Sequence, residues 1–368
     1  MAWMPRNVVL YSVGLLGASF GLALKNSGFK GSITGLSSLE NLNTALGMGC
    51  IDKGYSYDSL EECLTDADLL VLCSPIQSII DTLANLRNIK LPQNLLISDI
   101  GSTKRLIVDE AIKLPDHVHF IGGHPMAGSE KSGPSSADPY LFQNAIYVLT
   151  PPTGEINQKE KDFAAFLEKY LGCTTLFLTP SIHDRIAATV SHIPHLLAVA
   201  LVNLAGQTEQ STPDTFTLAA GGFRDMTRIA SSSYPMWHDI LTTNKSAINP
   251  LFDSLLEILL DMKEKLQNDD LKSCFQTASQ TRARIPNTNK GFIRPLSEIL
   301  VLAKDQPGFI ASITSLLANQ NINIKDIEVL KVREGEGGTI RLAFETQSIA
   351  NEAVSVLSAN GFYARERM

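Results

Sequence analysis

The stretch VVLYSVGLLGASFGLAL, residues 8–24, decides the first half of the chain. An apolar run at 8–13 predicts a strand. A glycine turn follows, and residues 19–27 read as a helix. In such a strand–turn–helix opening, Gly14 lets the backbone approach a pyrophosphate and Gly17 lets the helix pack on the strand. The helix N-terminus then faces the anion. The usual GxGxxG spacing asks for a glycine at position 12, where this chain has Ser12. Serine reaches positive φ less readily, so a strained or reshaped turn is expected. A second strand at 32–36 supports a dinucleotide site. At the end of that strand neither an acidic nor a basic residue reads the ribose. Ser37 is the expected contact, and NAD is favoured modestly over NADP.

Further apolar runs predict strands at 68–73, 95–99, 118–121, 145–149 and 175–178. Uninterrupted apolar strands separated by helical patterns imply a parallel sheet covered on both faces. The segment 8–24 also resembles a signal peptide. It is short for a membrane span, though, and the glycines serve the turn better. The chain has 368 residues, 44% of them hydrophobic, and a formal charge of −7. That gives material for two or three domains and no basic footprint for nucleic acid. The 5 cysteines are far apart and read as reduced thiols in the cytoplasm. No membrane partner is expected.

From residue 180 the texture turns helical, with helices expected at 182–206, 213–231, 236–244, 249–267 and 269–284. The apolar face on 251–266 is expected to bury against another helix or a second subunit. Residues 286–290 (PNTNK) read as a linker. The last part predicts strands at 297–303, 322–332, 339–346 and 363–367, and helices at 308–319 and 349–359. That βαββαβ order is ferredoxin-like.

Polar residues cluster after the strands, where open α/β sheets bind ligands. DIGSTK (99–104) follows one strand and GGHPMAGSEKSG (122–133) the next. His124, flanked by small residues at a strand end, reads either as a functional imidazole or as a cap on the following loop. Ser102 is placed to pair with it. Asp184, Ala188 and His195 share one helical face. His192 and His195 are three apart, yet Pro194 distorts the helix and no further ligand set is evident, so no metal is expected. In GGFRDMTRIASSS (221–233), Arg224 and Arg228 are one turn apart. They read either as a solvated basic face or as a carboxylate clamp.

These pieces together resemble the prephenate and arogenate dehydrogenases of tyrosine biosynthesis. The matching motifs are VGLLGASFGLAL, CSP, DIGSTK, GGHPMAGSEKSG, YVLTP, HDRIAATVSHIPH, GGFRDMTRIASS and MW. The tail, with DQPG (305–308) and NINI (321–324), resembles an ACT regulatory domain. The resemblance implies three parts: a Rossmann-type domain at 1–178, an all-helical substrate and dimerisation domain at 179–288, and an ACT domain at 295–368. It implies a homodimer that decarboxylates prephenate oxidatively with NAD, under feedback by tyrosine or another aromatic amino acid. An arogenate dehydrogenase is the nearer alternative. A non-catalytic amino-acid sensor on a dehydrogenase fold is the alternative of another class.

Roles follow from the resemblance too. His124 takes the substrate hydroxyl proton, Ser102 orients it, and His195 lies near nicotinamide and substrate. Arg228 grips a carboxylate. Glu130, Asp184 and Asp225 organise the site mouth through ionic contacts, and His192 and Trp237 line the substrate. Ser12, Gly14, Leu15, Leu16, Gly17, Ser37, Ser74 and Pro75 hold the cofactor. Asp305, Pro307, Gly308, Asn323 and Ile324 hold the effector.

Overall fold

A computed structural model describes residues 3–128, 131–285, 296–303, 306–333 and 337–367. Two compact units emerge, Met1–Leu271 and Lys272–Met368.

The first unit is built on eight strands: β1 (Asn7–Tyr11), β2 (Ser32–Leu36), β3 (Lys53–Tyr55), β4 (Leu69–Leu72), β5 (Leu96–Asp99), β6 (His119–Pro125), β7 (Ile146–Thr150) and β8 (Thr174–Phe177). Their order is β3-β2-β1-β4-β5-β6-β7-β8. The short edge strand β3 has no apolar run and left no sequence signal. All pairings are parallel except β6 with β7, which run antiparallel with His124 opposite Val148. The sheet is thus parallel as expected, with this one pairing reversed. A parallel return needs a crossover helix, and residues 126–145 are too rich in glycine, serine and proline to form one. Apolar clusters cover the sheet, one around Leu10, Phe20, Phe166 and Leu167, another around Leu70, Leu83, Ile97 and Ile107.

The strand order reverses between β1 and β4, which opens a crevice at the carboxyl ends of the strands. The β1 turn stands there. Ser12 adopts φ +73°, so the serine takes the left-handed conformation that a glycine would take without strain. Its N–H donates to the Leu36 carbonyl at 2.8 Å. A Cβ on Gly17 would come within 2.4 Å of the Ser12 carbonyl oxygen, so glycine is what lets helix Leu15–Asn26 close on this turn. A left-handed non-glycine residue costs roughly 1–2 kcal/mol, and glycine gives back about half of that in chain entropy. Ser12→Gly is therefore expected to stabilise the protein by about 0.5–1 kcal/mol, raising Tm by roughly 1–3 °C. Thermal unfolding checks this, and an unchanged or lower Tm would show that the serine side chain stabilises the turn on its own account.

The helical part departs from expectation in two places. Helix Pro180–Ala187 continues through a π turn, Ala188–His192, into helix Ile193–Ser211. Pro194 supplies no N–H to the preceding turn, and the wider π turn absorbs that loss. The expected helix at 213–231 is only a short helix, Gly221–Thr227, and a 3-10 turn, Arg228–Ser231. Pro213, a left-handed Asp214 (φ +72°) and the Gly221–Gly222 pair break it. The later helices are Tyr234–Thr243, Lys245–Gln267 and, in the second unit, Lys272–Ala283.

The second unit carries β9 (Ser297–Ala303), β10 (Asp326–Arg333), β11 (Gly337–Phe344) and β12 (Ala364–Glu366), in the order β10-β11-β9-β12. Helices Phe309–Asn319 and Gln347–Ala359 pack on the sheet through Phe309, Ile313, Leu317, Ala353 and Leu357. This is the ferredoxin-like arrangement that the βαββαβ order implied.

Candidate active site

The carboxyl ends of β5 and β6 bring the polar motifs together over a buried ion pair. Lys104 and Asp99 are each 0% exposed and bonded to each other. The Lys104 ammonium also donates to the Gly123 carbonyl at 2.6 Å. Asp99 accepts the N–H groups of Gly101 at 2.8 Å and Gly123 at 3.1 Å. Burial pulls the lysine pKa down, and the facing Asp99 charge opposes this. The pair pins both backbone polar groups of Gly123, the residue just before His124.

His124 emerges half-buried from the end of β6. Its Nδ1 lies 2.8 Å from Nε2 of His183. His183 Nδ1 in turn lies 2.9 Å from Asp184 Oδ1. Asp184 accepts the backbone N–H of Lys104 at 2.7 Å and of Arg105 at 2.9 Å, closing the start of helix Arg105–Ala111. Burial, helped by His183, Lys104 and His192, pushes the His124 pKa well below the usual histidine value. The ring is therefore neutral near pH 7 and able to accept a proton.

A second aromatic cluster adjoins the first. His195 stacks on Trp237 with centroids 3.6 Å apart, and His192 meets the same indole edge-on at 5.9 Å. Asn244 joins the clusters by donating to the Asp184 carbonyl at 2.8 Å and lying 3.2 Å from His192 Nδ1. Burial lowers the His192 pKa to about 4 and that of His195 as well. The Trp237 Nε1 is buried without a partner among the described residues.

Several expected contacts need correction. His124 pairs with His183 rather than Ser102, whose hydroxyl has no hydrogen bond to a described residue. Asp184, 3% exposed with both oxygens engaged, faces inward instead of ordering the site mouth. His192 is 2% exposed and held by Asn244. The π turn ends the shared helical face that sequence spacing gave Asp184 and His195. Ser37 is closed off at 2% exposure, with its hydroxyl 3.4 Å from the Asn41 amide and 3.5 Å from the Tyr57 hydroxyl. Arg224, Asp225 and Arg228 are exposed on the segment packed against helix Ile193–Ser211. Glu130 and Asp305 lie outside the described residues, as does the linker at 286–290. Pro307 and Asn323 are exposed, Gly308 (φ +84°) opens helix Phe309–Asn319, and Ile324 is half-buried.

Family profiles match nearly the whole chain. "Prephenate dehydrogenase, nucleotide-binding domain" covers residues 20–174 and "Prephenate dehydrogenase, dimerization domain" covers 179–280. The chain belongs to the prephenate dehydrogenase family. An ACT domain profile covers residues 297–358. The prephenate dehydrogenase of Bacillus subtilis is 34% identical over 368 residues, spanning 99% of this chain and 98% of that one. The Aquifex aeolicus prephenate dehydrogenase, solved with hydroxyphenyl propionate and NAD+, is 31% identical with a TM-score of 0.69. It covers 77% of this chain and 98% of its own. An arogenate dehydrogenase from Synechocystis is 27% identical at a TM-score of 0.63, covering 75% of this chain and 97% of its own. This prephenate dehydrogenase family member is thus an oxidoreductase with a nucleotide-binding sheet and an ACT domain. Sequence reasoning passed over His183 and Asn244. His183 stood inside a quoted motif, but only the packing shows that these two hold His124 and its surroundings.

Proposed function

We propose that this chain catalyses the NAD-dependent oxidative decarboxylation of prephenate to 4-hydroxyphenylpyruvate. The observation that carries the reading is a neutral, half-buried imidazole, His124, tethered at the strand ends where the sheet opens for a ligand. The crevice between β1 and β4 fits a dinucleotide. Among the described residues, a Cβ on Gly14 would meet nothing within 4 Å, helix Leu15–Asn26 has no side-chain cap, and the buried Ser74 hydroxyl has no partner. An uncapped helix N-terminus beside open space suits a pyrophosphate. Leu15, Leu16 and Pro75 border it. NAD held there would supply the hydride acceptor for the ring carbon that bears the hydroxyl.

His124 takes the hydroxyl proton as the carbonyl forms. The ring carboxylate leaves as carbon dioxide, its bonding electrons make the ring aromatic, and His124 returns the proton to the phenolic oxygen. Arg228 holds a substrate carboxylate and Asp225 adds a charge near it. Ser102, whose hydroxyl bonds no described residue, orients substrate against His124. His195 and Trp237 form the flat wall beside the ring.

The enzyme works as a homodimer. Helix Pro180–Ser211 is long and apolar enough to cross a membrane, yet only 28% of its apolar window is buried. Val190 at 61% and Leu204 at 60% exposure, with Leu260 at 65% on helix Lys245–Gln267, offer a face for a second copy. The ACT domain binds tyrosine or a related aromatic amino acid through Pro307, Gly308, Asn323 and Ile324.

The deciding experiment measures kcat/KM for prephenate and arogenate with NAD and NADP, with and without tyrosine. Prephenate with NAD is expected to lead, and tyrosine to inhibit. No Lys or Arg lies between Ser32 and Leu42, and Lys104 is sealed against Asp99, so a 2′-phosphate lacks a cation there. The exposed Ser38 hydroxyl, which caps no helix N–H, suits a ribose hydroxyl instead. NAD is therefore favoured about tenfold, or roughly 1.4 kcal/mol. A preference for arogenate would move the assignment to the amino analogue, and one for NADP would bring in a cation from elsewhere.

A further inference from the structure

We propose that His183 is a positioning residue that fixes the tautomer of His124, leaving Nε2 as its basic nitrogen. The inference rests on His124 being the base of the reaction proposed above.

Proton bookkeeping along the chain Asp184–His183–His124 gives the result. Asp184 holds the backbone N–H groups of Lys104 and Arg105 on its two oxygens, and a carboxylate in that position only accepts. His183 Nδ1, 2.9 Å from Asp184 Oδ1, must therefore carry the hydrogen. In a neutral imidazole the other nitrogen then has the lone pair. With His183 neutral, its Nε2 accepts and His124 Nδ1, 2.8 Å away, donates. The one nitrogen left on neutral His124 with a lone pair is Nε2. Against a neutral His183, the opposite tautomer of His124 would point two lone pairs at each other.

The same chain suits the protonated state. When His124 accepts the substrate proton both its nitrogens are donors, and Nδ1 keeps its acceptor in His183. The Asp184 charge then faces the new imidazolium through His183. His183 is 2% exposed, so no bulk water stands in for it. The two rings meet edge-on, 5.0 Å apart at 71°, a geometry that aligns the nitrogens rather than stacking the faces.

Two variants of the full-length protein separate positioning from packing. In His183→Asn the short amide still reaches Asp184 but leaves nothing to accept from His124. In His183→Gln the longer amide places an oxygen where Nε2 stood. His183→Asn is expected to lower kcat roughly 10–100-fold, part of the 10²–10⁴ that a positioned base contributes. KM and NAD affinity should stay within about twofold, and His183→Gln should recover most of the turnover. ¹⁵N NMR of the wild-type histidines should show His124 Nε2 unprotonated and Nδ1 protonated at neutral pH. A protonated Nε2, kcat within about threefold of wild type in His183→Asn, or a His183→Gln variant no better than His183→Asn would each overturn the proposal. The NMR result stands apart from activity. Absent prephenate turnover in the wild type would sink the functional reading, while the tautomer would still be decided.

Discussion

His124→Asn is expected to lower kcat by about 10²–10⁴ while leaving NAD affinity unchanged. The size follows from what the substitution keeps and removes. An asparagine amide nitrogen occupies the place of Nδ1 and still donates to His183, so the tether at the end of β6 survives. Nothing occupies the place of Nε2, so the hydroxyl proton has no acceptor as the carbonyl develops. The nucleotide crevice between β1 and β4 is untouched, since its walls are Ser12, Gly14 and Ser74. Steady-state kinetics and an NAD binding titration together check the split. A variant retaining more than a tenth of wild-type kcat would move the base to another group, and a parallel loss of NAD affinity would point to a collapsed site.

Asp99→Asn is expected to cost the fold about 3–5 kcal/mol, among the largest single-residue losses in the first unit. Lys104 has 0% exposure, so removing its counter-charge leaves an ammonium with no water to solvate it. The lysine has one escape, which is to give up its proton. From an ordinary pKa near 10.4, deprotonation at pH 7 costs about 4.6 kcal/mol, which limits the part of the penalty that comes from the buried charge. Urea denaturation measures the loss. The double variant Asp99→Asn with Lys104→Met should recover much of it, because two neutral groups leave no buried charge behind. A loss under about 1 kcal/mol for the single variant would mean that water reaches Lys104. The pair also aligns the Gly123 carbonyl and N–H beside His124, so the double variant should regain stability more completely than turnover.

Local pattern determined the strand at Ser32–Leu36, the strand at Ser297–Ala303, the glycine turn and the ferredoxin-like tail, because apolar periodicity and turn chemistry act within a few residues. The motif DIGSTK and the histidine of GGHPMAG stood out for the same reason. The antiparallel entry of β7 was hidden because strand direction depends on whether a crossover helix intervenes, not on the strand itself. Edge strand β3 has no apolar run, yet it and Tyr57 close over Ser37 and remove that hydroxyl from the crevice. The partner of His124 was hidden most deeply. Ser102 is nearer in sequence, but helix Pro180–Ala187 delivers His183 to Nδ1, 59 residues along the chain. Asp184 looked like a mouth carboxylate because sequence shows charge but not burial. Tertiary packing spent both its oxygens on helix Arg105–Ala111 and on His183. A side chain's chemistry is local, but its protonation state and its partner are set by what folds against it.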